Sequence, residues 1–320
     1  MNIELAQILK ELETELPPRP HLYHLSNLER EDVAQVREIW ATLPEDRRLD
    51  VIQTLAEIAE QDFETNFGQM FRISLDDPHP EVRRHAVDGL WEDHDVRLVP
   101  LLATLLAEDA VPEVRAAAAT SLGRFLLLGE LGKIRPTPHR QAYDALLVAC
   151  QALGETIEVH RRALESIAYS EEDTVISLIE EAYRNADERM RISAVFAMGR
   201  NADDRWTPYV LAELYSVNPE MRYEAAHACG ELAIEQALLT LIEMVDDVDP
   251  EVQEAAIWAL GQIGGDEARS VIEACARGSD EVKRTAAVDA LRELEFLHGD
   301  LGALLLPFDL DEGEDDEDEL

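Results

Sequence analysis

Cysteine, aromatic and basic residues are all scarce in this 320-residue sequence. The three cysteines lie far apart and form no Cys-x-x-Cys pair, so neither a disulfide framework nor a zinc knuckle is expected. Aromatic residues make up 6% of the chain and apolar residues 46%, which predicts a core of mainly aliphatic side chains. The cysteine usage fits a reducing cytoplasm best, and we expect a cytoplasmic location.

Positive charge is the second scarcity, with 28 Lys and Arg against 68 Asp and Glu and a formal net charge of −40. A chain of this charge repels phosphate, so direct binding to nucleic acid or to an anionic membrane surface is disfavoured. A basic protein partner is compatible with it. No apolar run approaches the roughly 20 residues that span a bilayer, and no signal peptide is expected at the N-terminus.

A short pattern recurs along most of the chain. An acidic turn precedes a Val or Met, usually followed by Arg; an Ala lies four residues after the Val or Met and a further buried-type residue lies eight after it. The copies begin at Val82, Val114, Val159, Met190, Met221 and Val252. The last four are 31 residues apart, a further copy at 280–291 is one residue out of phase, and a degenerate copy lies at 45–55. Positions i, i+4 and i+8 share one helix face, and Asp or Asn with Pro before them is typical of a helix start.

A second apolar-periodic segment lies between successive copies, for example at 174–184 and 237–246. Each unit is therefore predicted to be a pair of antiparallel helices that must stack on its neighbours to bury its apolar face. These units resemble HEAT repeats, of the short type named after phycobilisome (PBS) lyases, over about residues 44–295. The resemblance implies an all-α fold, an α-α superhelix (HEAT-like solenoid) of about eight helix pairs.

Three regions depart from the repeat. Residues 1–43 are predicted to form an N-terminal helical cap, with helices at about 2–15 and 29–42. The second region is an insertion near 126–140, within the predicted solenoid of residues 44–298. Residues 299–320 end in a run of acidic residues and are predicted to be a disordered acidic tail.

The residue after the first apolar position forms a column, which is Arg83, Arg115, Arg191 and Arg222, with His160, Gln253 and Lys283 as variants. One interpretation is an anion-binding ladder. The other, which we favour, is that each Arg bonds an acidic turn residue of its own or the adjacent unit, with Asp77, Asp109 and Asp187 suitably placed.

A column of glutamates occupies the second helices, at Glu181, Glu213, Glu243 and Glu273, off the apolar stripe. If the second helices line the concave side, these residues and the neighbouring Glu180, Asp246 and Asp247 form an acidic ladder along the binding side. The alternative is a solvated face in a chain already rich in acids, and both remain open. Trp91, Trp206 and Tyr209 lie near acids and are either partner anchors or ordinary packing residues.

Catalytic signatures are missing from the sequence. No His-x-x-x-His, His-Glu dipeptide, Gly-x-Ser-x-Gly or nucleotide-binding glycine motif occurs, and no cofactor or metal is predicted. Gly261, Gly264 and Gly265 are assigned to a turn. Cys229 replaces a core residue and is expected to be buried and inert.

The favoured hypothesis is a non-enzymatic protein–protein interaction scaffold or adaptor, which presents an acidic concave surface to a basic protein segment. The resemblance suggests an alternative, a bilin lyase-like protein that handles a chromophore, although no catalytic motif of such enzymes is present. A second alternative is an acidic DNA mimic or chaperone for a basic protein. The oligomeric state does not follow from the sequence.

Overall fold

The computed structural model describes residues 3–62 and 64–298. Its α-helices are α1 (Ile3–Thr14), α2 (Arg19–Leu22), α3 (Val33–Trp40), α4 (Glu45–Gln61), α5 (Gly68–Ser74), α6 (Pro80–Asp88), α7 (Leu98–Glu108), α8 (Pro112–Glu130), α9 (Pro136–Gln151), α10 (Ile157–Ile167), α11 (Asp173–Tyr183), α12 (Glu188–Asn201), α13 (Thr207–Glu213), α14 (Pro219–Glu231), α15 (Leu238–Met244), α16 (Pro250–Ile263), α17 (Asp266–Ala276) and α18 (Glu281–His298). Short 3₁₀ turns lie at Tyr23–Leu25, Asp204–Trp206 and Glu235–Ala237. No β-strand occurs in the described residues, so the expected all-α class is confirmed.

The chain forms two compact units, Met1–Ala197 and Met198–Leu320, which divide within α12. From α3 onward, the helices alternate as eight successive pairs, in agreement with the expected HEAT-like solenoid class. The even-numbered helices from α4 to α18 carry the recurrent pattern, and we call them the Val-Arg helices. Neighbouring Val-Arg helices pack on each other through α4, α6, α8 and α10 in the first unit and through α14, α16 and α18 in the second.

Proline and side-chain caps fix where the Val-Arg helices begin. Pro219 and Pro250 are the first residues of α14 and α16, where a missing backbone N–H costs no hydrogen bond. Before α16, the Oδ1 of Asp249 accepts from the backbone N–H of Glu251 at 3.0 Å, and before α14 Asn218 does the same for Glu220. The buried face then follows the predicted spacing, as in Val252 and residues four and eight further on.

Glycines inside the Val-Arg helices allow their close approach. A Cβ on Gly230 would lie 3.0 Å from the Cα of Ala259, and one on Gly261 would lie 3.0 Å from the carbonyl oxygen of Ala290. The assignment of Gly261 to a turn was therefore wrong, because this residue lies within α16 and contacts α18. Gly264 and Gly265 do form the turn, with φ angles of 74° and 91° that favour glycine.

Arginine side chains link successive repeats, as the favoured interpretation of the Arg column predicted. Links at three of the regular positions join Arg83 to Asp109, Arg115 to Glu155 and Arg222 to Asp247, each through two N–H donors at 2.7–2.9 Å. A further N–H of each arginine donates to the backbone carbonyl six residues earlier. The column is thus engaged within the fold at these positions and does not form an anion-binding ladder there.

Two further positions bear on the Arg column: one where the link is absent and one where it is added. Asp187 pairs with Arg189 at 2.8 Å, and the preceding Val-Arg helix carries His160, whose Nε2 lies 3.0 Å from the carbonyl oxygen of Ala152. Arg48 extends the column to α4, where it bonds the carboxylate of Asp77 at 2.7 Å and both side chains are buried. The degenerate copy at 45–55 therefore performs the same link as its regular counterparts.

These links predict an acid-sensitive contribution to stability. The hydrogen bonds from Arg222 hold the pKa of Asp247 below its ordinary value of about 3.9. A depressed folded-state pKa stabilises the protein above the unfolded-state value, and this stabilisation is lost as the pH falls through the folded-state value. We expect Asp247→Asn to lower the free energy of unfolding at pH 7, and the difference from the wild type to shrink below about pH 4. Urea unfolding at several pH values measures this, with the exposed Asp204→Asn as the control; a difference that does not change with pH would contradict it.

The regions outside the regular repeat follow the predictions in part. Helices α1 and α3 lie where the N-terminal cap was expected, although α3 begins at Val33 rather than near residue 29. The inserted residues near 126–140 mainly lengthen α8 and begin α9, so only residues 131–135 between them are non-helical. The predicted disordered tail, 299–320, lies outside the described residues. The boundaries 1–43 and 44–298 as domains stay predictions.

Candidate interaction groove

A groove of about 680 Å³ lies on the second unit, on the Val-Arg helices α14, α16 and α18. Six acidic residues and no Lys or Arg are among its lining residues. The acids are Glu220, Glu224, Glu251, Glu254, Asp289 and Glu293. We call this surface the acidic groove. Its walls are Val-Arg helices, whereas the sequence placed the acidic ladder on the second helices, which are the odd-numbered helices α11, α13, α15 and α17.

Three rings follow one another in the acidic groove, the first pair tilted by 49° and the second pair stacked, and we call them the ring stack. The ring centroids of Tyr223 and His227 are 4.7 Å apart, and those of His227 and Trp258 are 4.5 Å apart with an interplanar angle of 29°. Burial lowers the pKa of His227, which favours the uncharged form of its ring. The stack therefore offers neutral aromatic surface, with Tyr223 and Trp258 able to receive a cation over a ring face.

The carboxylates surround this stack closely enough to affect it. Burial raises the pKa of Tyr223, and the negative charges of Glu224, Glu251 and Glu254 raise it further. Glu220, Glu251 and Glu254 are exposed, and in the described part of the chain they form no ion pair with Lys or Arg. Asp289, by contrast, accepts from Arg292 at 2.9 Å. The acidic groove therefore keeps three carboxylates that no Lys or Arg of the described residues neutralises.

The first unit has a groove of about 600 Å³ at the corresponding place on α6, α8 and α10, which we call the mixed groove. Its lining residues include three acids and three arginines. Arg84 bonds Asp88 at 2.9 Å, and Arg162 bonds Glu158 at 2.9 Å. Its acids are thus largely paired within the protein, and the two grooves differ in charge although their helices follow the same pattern.

The glutamates of the predicted column occupy the second helices as expected, Glu181 on α11 of the first unit and the others on α13, α15 and α17 of the second. Glu181 and Glu243 are exposed, Glu213 is half-buried, and Glu273 bonds Arg277 at 3.4 Å. Among the neighbouring acids, Glu180 bonds Arg184, Asp246 bonds Lys283 at 2.9 Å, and Asp247 holds Arg222. Asp247 is therefore a structural link, whereas a partner-binding role for the column itself stays a prediction.

The three predicted aromatic anchors differ in exposure. Trp91 is 50% exposed and lines the mixed groove. Trp206 is fully buried, and its Nε1 donates to the Oδ1 of Asn201 at 2.8 Å, so its indole packs the interior and offers no surface to a partner. Tyr209 is half-buried and meets Trp206 edge-on, with centroids 6.0 Å apart.

Sequence reasoning missed the ring stack, although a signal for it exists. His227 lies six residues after Met221, and Trp258 lies six residues after Val252, so both occupy the same position of successive repeats. Residues one repeat apart on adjacent packed helices are neighbours in a stacked array. A comparison of repeat positions beyond the apolar stripe would have brought these two rings together.

Other candidate chemistries find little support in the described residues. No group of three His, Cys, Asp or Glu side chains there is arranged to hold a metal ion. Burial raises the pKa of Cys150 and of Cys229 to about 12, and the expected burial of Cys229 is confirmed. None of the described helices is long and apolar enough to cross a membrane.

Comparison with known proteins agrees with this architecture. A search of curated proteins finds no match. A Kap95:Nup1 complex contains a chain of similar fold, with 14% identity and a TM-score of 0.50 over 95% of this chain and 47% of that one. The Escherichia coli protein YibA has 19% identity and a TM-score of 0.45 over 88% and 93% of the two chains. Human deoxyhypusine hydroxylase in complex with glycerol has 17% identity and a TM-score of 0.35 over 83% and 96%.

At 14% identity the chain of the Kap95:Nup1 complex indicates the fold alone. The family evidence is stronger, because the model of HEAT repeats matches residues 70–147 and 207–292, about half of the chain. The matched segments include the Val-Arg helices α6 and α8 of the first unit and α14 and α16 of the second, together with the second helices that accompany them. On this match and on the helix-pair architecture, the chain belongs to the family of HEAT-repeat proteins.

Proposed function

We propose that this protein is a non-enzymatic interaction scaffold whose acidic groove binds a basic segment of a partner protein. The observation that carries the proposal is the set of exposed, unpaired carboxylates of Glu220, Glu251 and Glu254 around the stack of Tyr223, His227 and Trp258. A cationic side chain can form a charge-assisted hydrogen bond to a carboxylate there and can also contact an aromatic face.

The net charge of the chain supports the proposal without locating the site. Acids are spread over both units, yet in the mixed groove Arg84 and Arg162 already bond acids of their own helices. A partner cation would have to compete with these arginines at Asp88 and Glu158, two of the three acids of the mixed groove, whereas at Glu251 it would not. A basic segment therefore gains more binding free energy at the acidic groove than at the mixed groove.

Binding to a basic peptide tests the proposal on the full-length protein. The probe is a fluorescein-labelled peptide of alternating Lys and Gly, followed by fluorescence anisotropy at low salt. We expect the triple variant Glu220→Gln, Glu251→Gln, Glu254→Gln to weaken binding about tenfold, because it removes three exposed charge contacts. Raising the salt concentration should weaken wild-type binding more than binding of the variant.

A matched control separates the groove from general acidity. The variant Glu213→Gln, Glu243→Gln, Glu273→Gln removes the same charge from the predicted glutamate column of the same unit, and we expect it to bind within about twofold of the wild type. Equal losses in both variants would mean attraction by net charge alone. A loss confined to the column variant would identify the second helices as the binding surface, and either result would overturn the groove proposal.

A further inference from the structure

The position just before the first apolar residue is Glu on α6, α8, α10, α14 and α16. On α8 this residue is Glu113, which is followed three and four residues on by Ala116 and Ala117. On α6 and α10 an arginine follows instead, and these two helices show what the glutamate binds. Glu81 accepts from the Nη2 of Arg84 at 2.9 Å, three residues further along α6. Glu158 accepts from Arg161 at 3.2 Å and from the Nε of Arg162 at 2.9 Å. Residues three and four apart are neighbours on a helix surface, so a guanidinium reaches this carboxylate from its own helix.

Helices α14 and α16 of the second unit keep the glutamate and, unlike α6 and α10, lack the arginines. Three residues after Glu220 stands Tyr223, and three residues after Glu251 stands Glu254; the residues one further along are Glu224 and Ala255. None of these side chains is a cation. The acidic groove therefore presents the same carboxylates as the first unit, with an aromatic ring or another carboxylate where the guanidinium would stand.

The protein also contains one complete example of a guanidinium held by a ring and carboxylates together. The guanidinium carbon of Arg140 lies 4.6 Å from the ring centroid of Tyr143, and its N–H groups bond Asp144 at 2.8 Å and Glu172 at 3.1 Å. A planar guanidinium can stack on a ring while its edge bonds carboxylates, whereas an ammonium group cannot make both contacts in this way. The acidic groove supplies the ring and the carboxylates without the arginine.

From these observations we infer that the acidic groove selects arginine over lysine, with the partner's guanidinium placed between Glu251 and the ring stack of Tyr223 and Trp258. This inference rests on the proposed function and names the side chain that the groove recognises. The carboxylate bonds the guanidinium edge, and the stacked rings receive its face.

Three labelled peptides of equal length test the inference with the full-length protein, with arginine, lysine or citrulline at the same three positions. For the wild type, we expect the arginine peptide to bind about fivefold more tightly than the lysine peptide, from the added ring contact. The citrulline peptide keeps a planar group without the charge, and we expect it to bind most weakly. Tyr223→Leu should bring the ratio of arginine to lysine affinity close to one, and Glu251→Gln should weaken both peptides and reduce the same ratio.

Tyr215→Leu is the matched control, because Tyr215 is an exposed tyrosine of the same unit outside the groove. It should leave the ratio unchanged, and circular dichroism verifies that each variant is folded. Equal binding of the arginine and lysine peptides to the wild type, with both weakened by Glu251→Gln, would overturn the selectivity and leave the proposed function in place. An arginine preference that survives both groove variants would also overturn it, and binding of neither peptide would overturn the proposed function itself.

Discussion

Asp77→Ala is expected to lower the free energy of unfolding of the first unit by about 3–5 kcal/mol. The carboxylate of Asp77 bonds the Nε of Arg48 at 2.7 Å and accepts from the indole N–H of Trp40 at 3.1 Å. The side chains of Asp77 and Arg48 are 1% and 7% exposed, so the variant would leave a buried guanidinium without a counter-charge and a buried indole N–H without an acceptor. Urea unfolding followed by far-ultraviolet circular dichroism measures the loss.

Two further variants show whether the loss comes from the unpaired charge. Asp76→Ala alters the adjacent residue, whose side chain is 76% exposed and 3.6 Å from Arg37, and should change the free energy of unfolding by less than about 0.5 kcal/mol. The double variant Arg48→Met, Asp77→Leu removes both charges and should recover the part of the loss that comes from the unpaired guanidinium, while the indole N–H of Trp40 still lacks its acceptor. If Asp76→Ala and Asp77→Ala were equally mild, the buried pair would not stabilise the unit.

The buried pair also shows how far the fold follows from the sequence. The copy at 45–55 lacks the regular Val, but Val51 and Leu55 keep its phase, and that phase places Arg48 in the arginine column. Helix number, helix pairing and the arginine links could all be predicted because each depends on residues at fixed intervals. Glu155 could not be predicted as the partner of Arg115, because the insertion changes their separation to 40 residues.

The candidate site was less predictable, for a physical reason. The charge that the acidic groove offers to a partner depends on which of its carboxylates already bond a cation of the protein. Such pairing depends on the positions of the side chains and not on composition. Glu158 and Glu251 occupy the same repeat position, yet one is held by Arg162 and the other forms no ion pair in the described chain. Composition does not distinguish them in a sequence with 68 acidic residues; the sequence signal is local, since Arg162 lies four residues after Glu158 and Ala255 lies four after Glu251.

Gly230→Val is expected to destabilise the second unit by about 3 kcal/mol and to disturb the acidic groove at the same time. A Cβ at this position would lie 2.6 Å from the Cζ3 of Trp258 and 3.0 Å from the Cα of Ala259, so both the ring and the backbone of α16 would have to move. Valine is a better helix former than glycine by a few tenths of a kcal/mol, which is too little to offset this overpacking. Thermal unfolding measures the loss, with Ala274→Val on the exposed face of α17 as a control that adds two methyl groups without a buried contact.

The same variant connects packing with recognition. Because Trp258 is both the neighbour of Gly230 and the end of the ring stack, displacement of α16 from α14 would separate its indole from His227. At a temperature where circular dichroism shows the variant to be folded, we therefore expect it to bind the arginine peptide more weakly and to lose its preference over the lysine peptide. A destabilised variant that kept the full preference would show that the ring stack does not recognise the guanidinium. The glycine that lets two repeats approach would then serve stability alone.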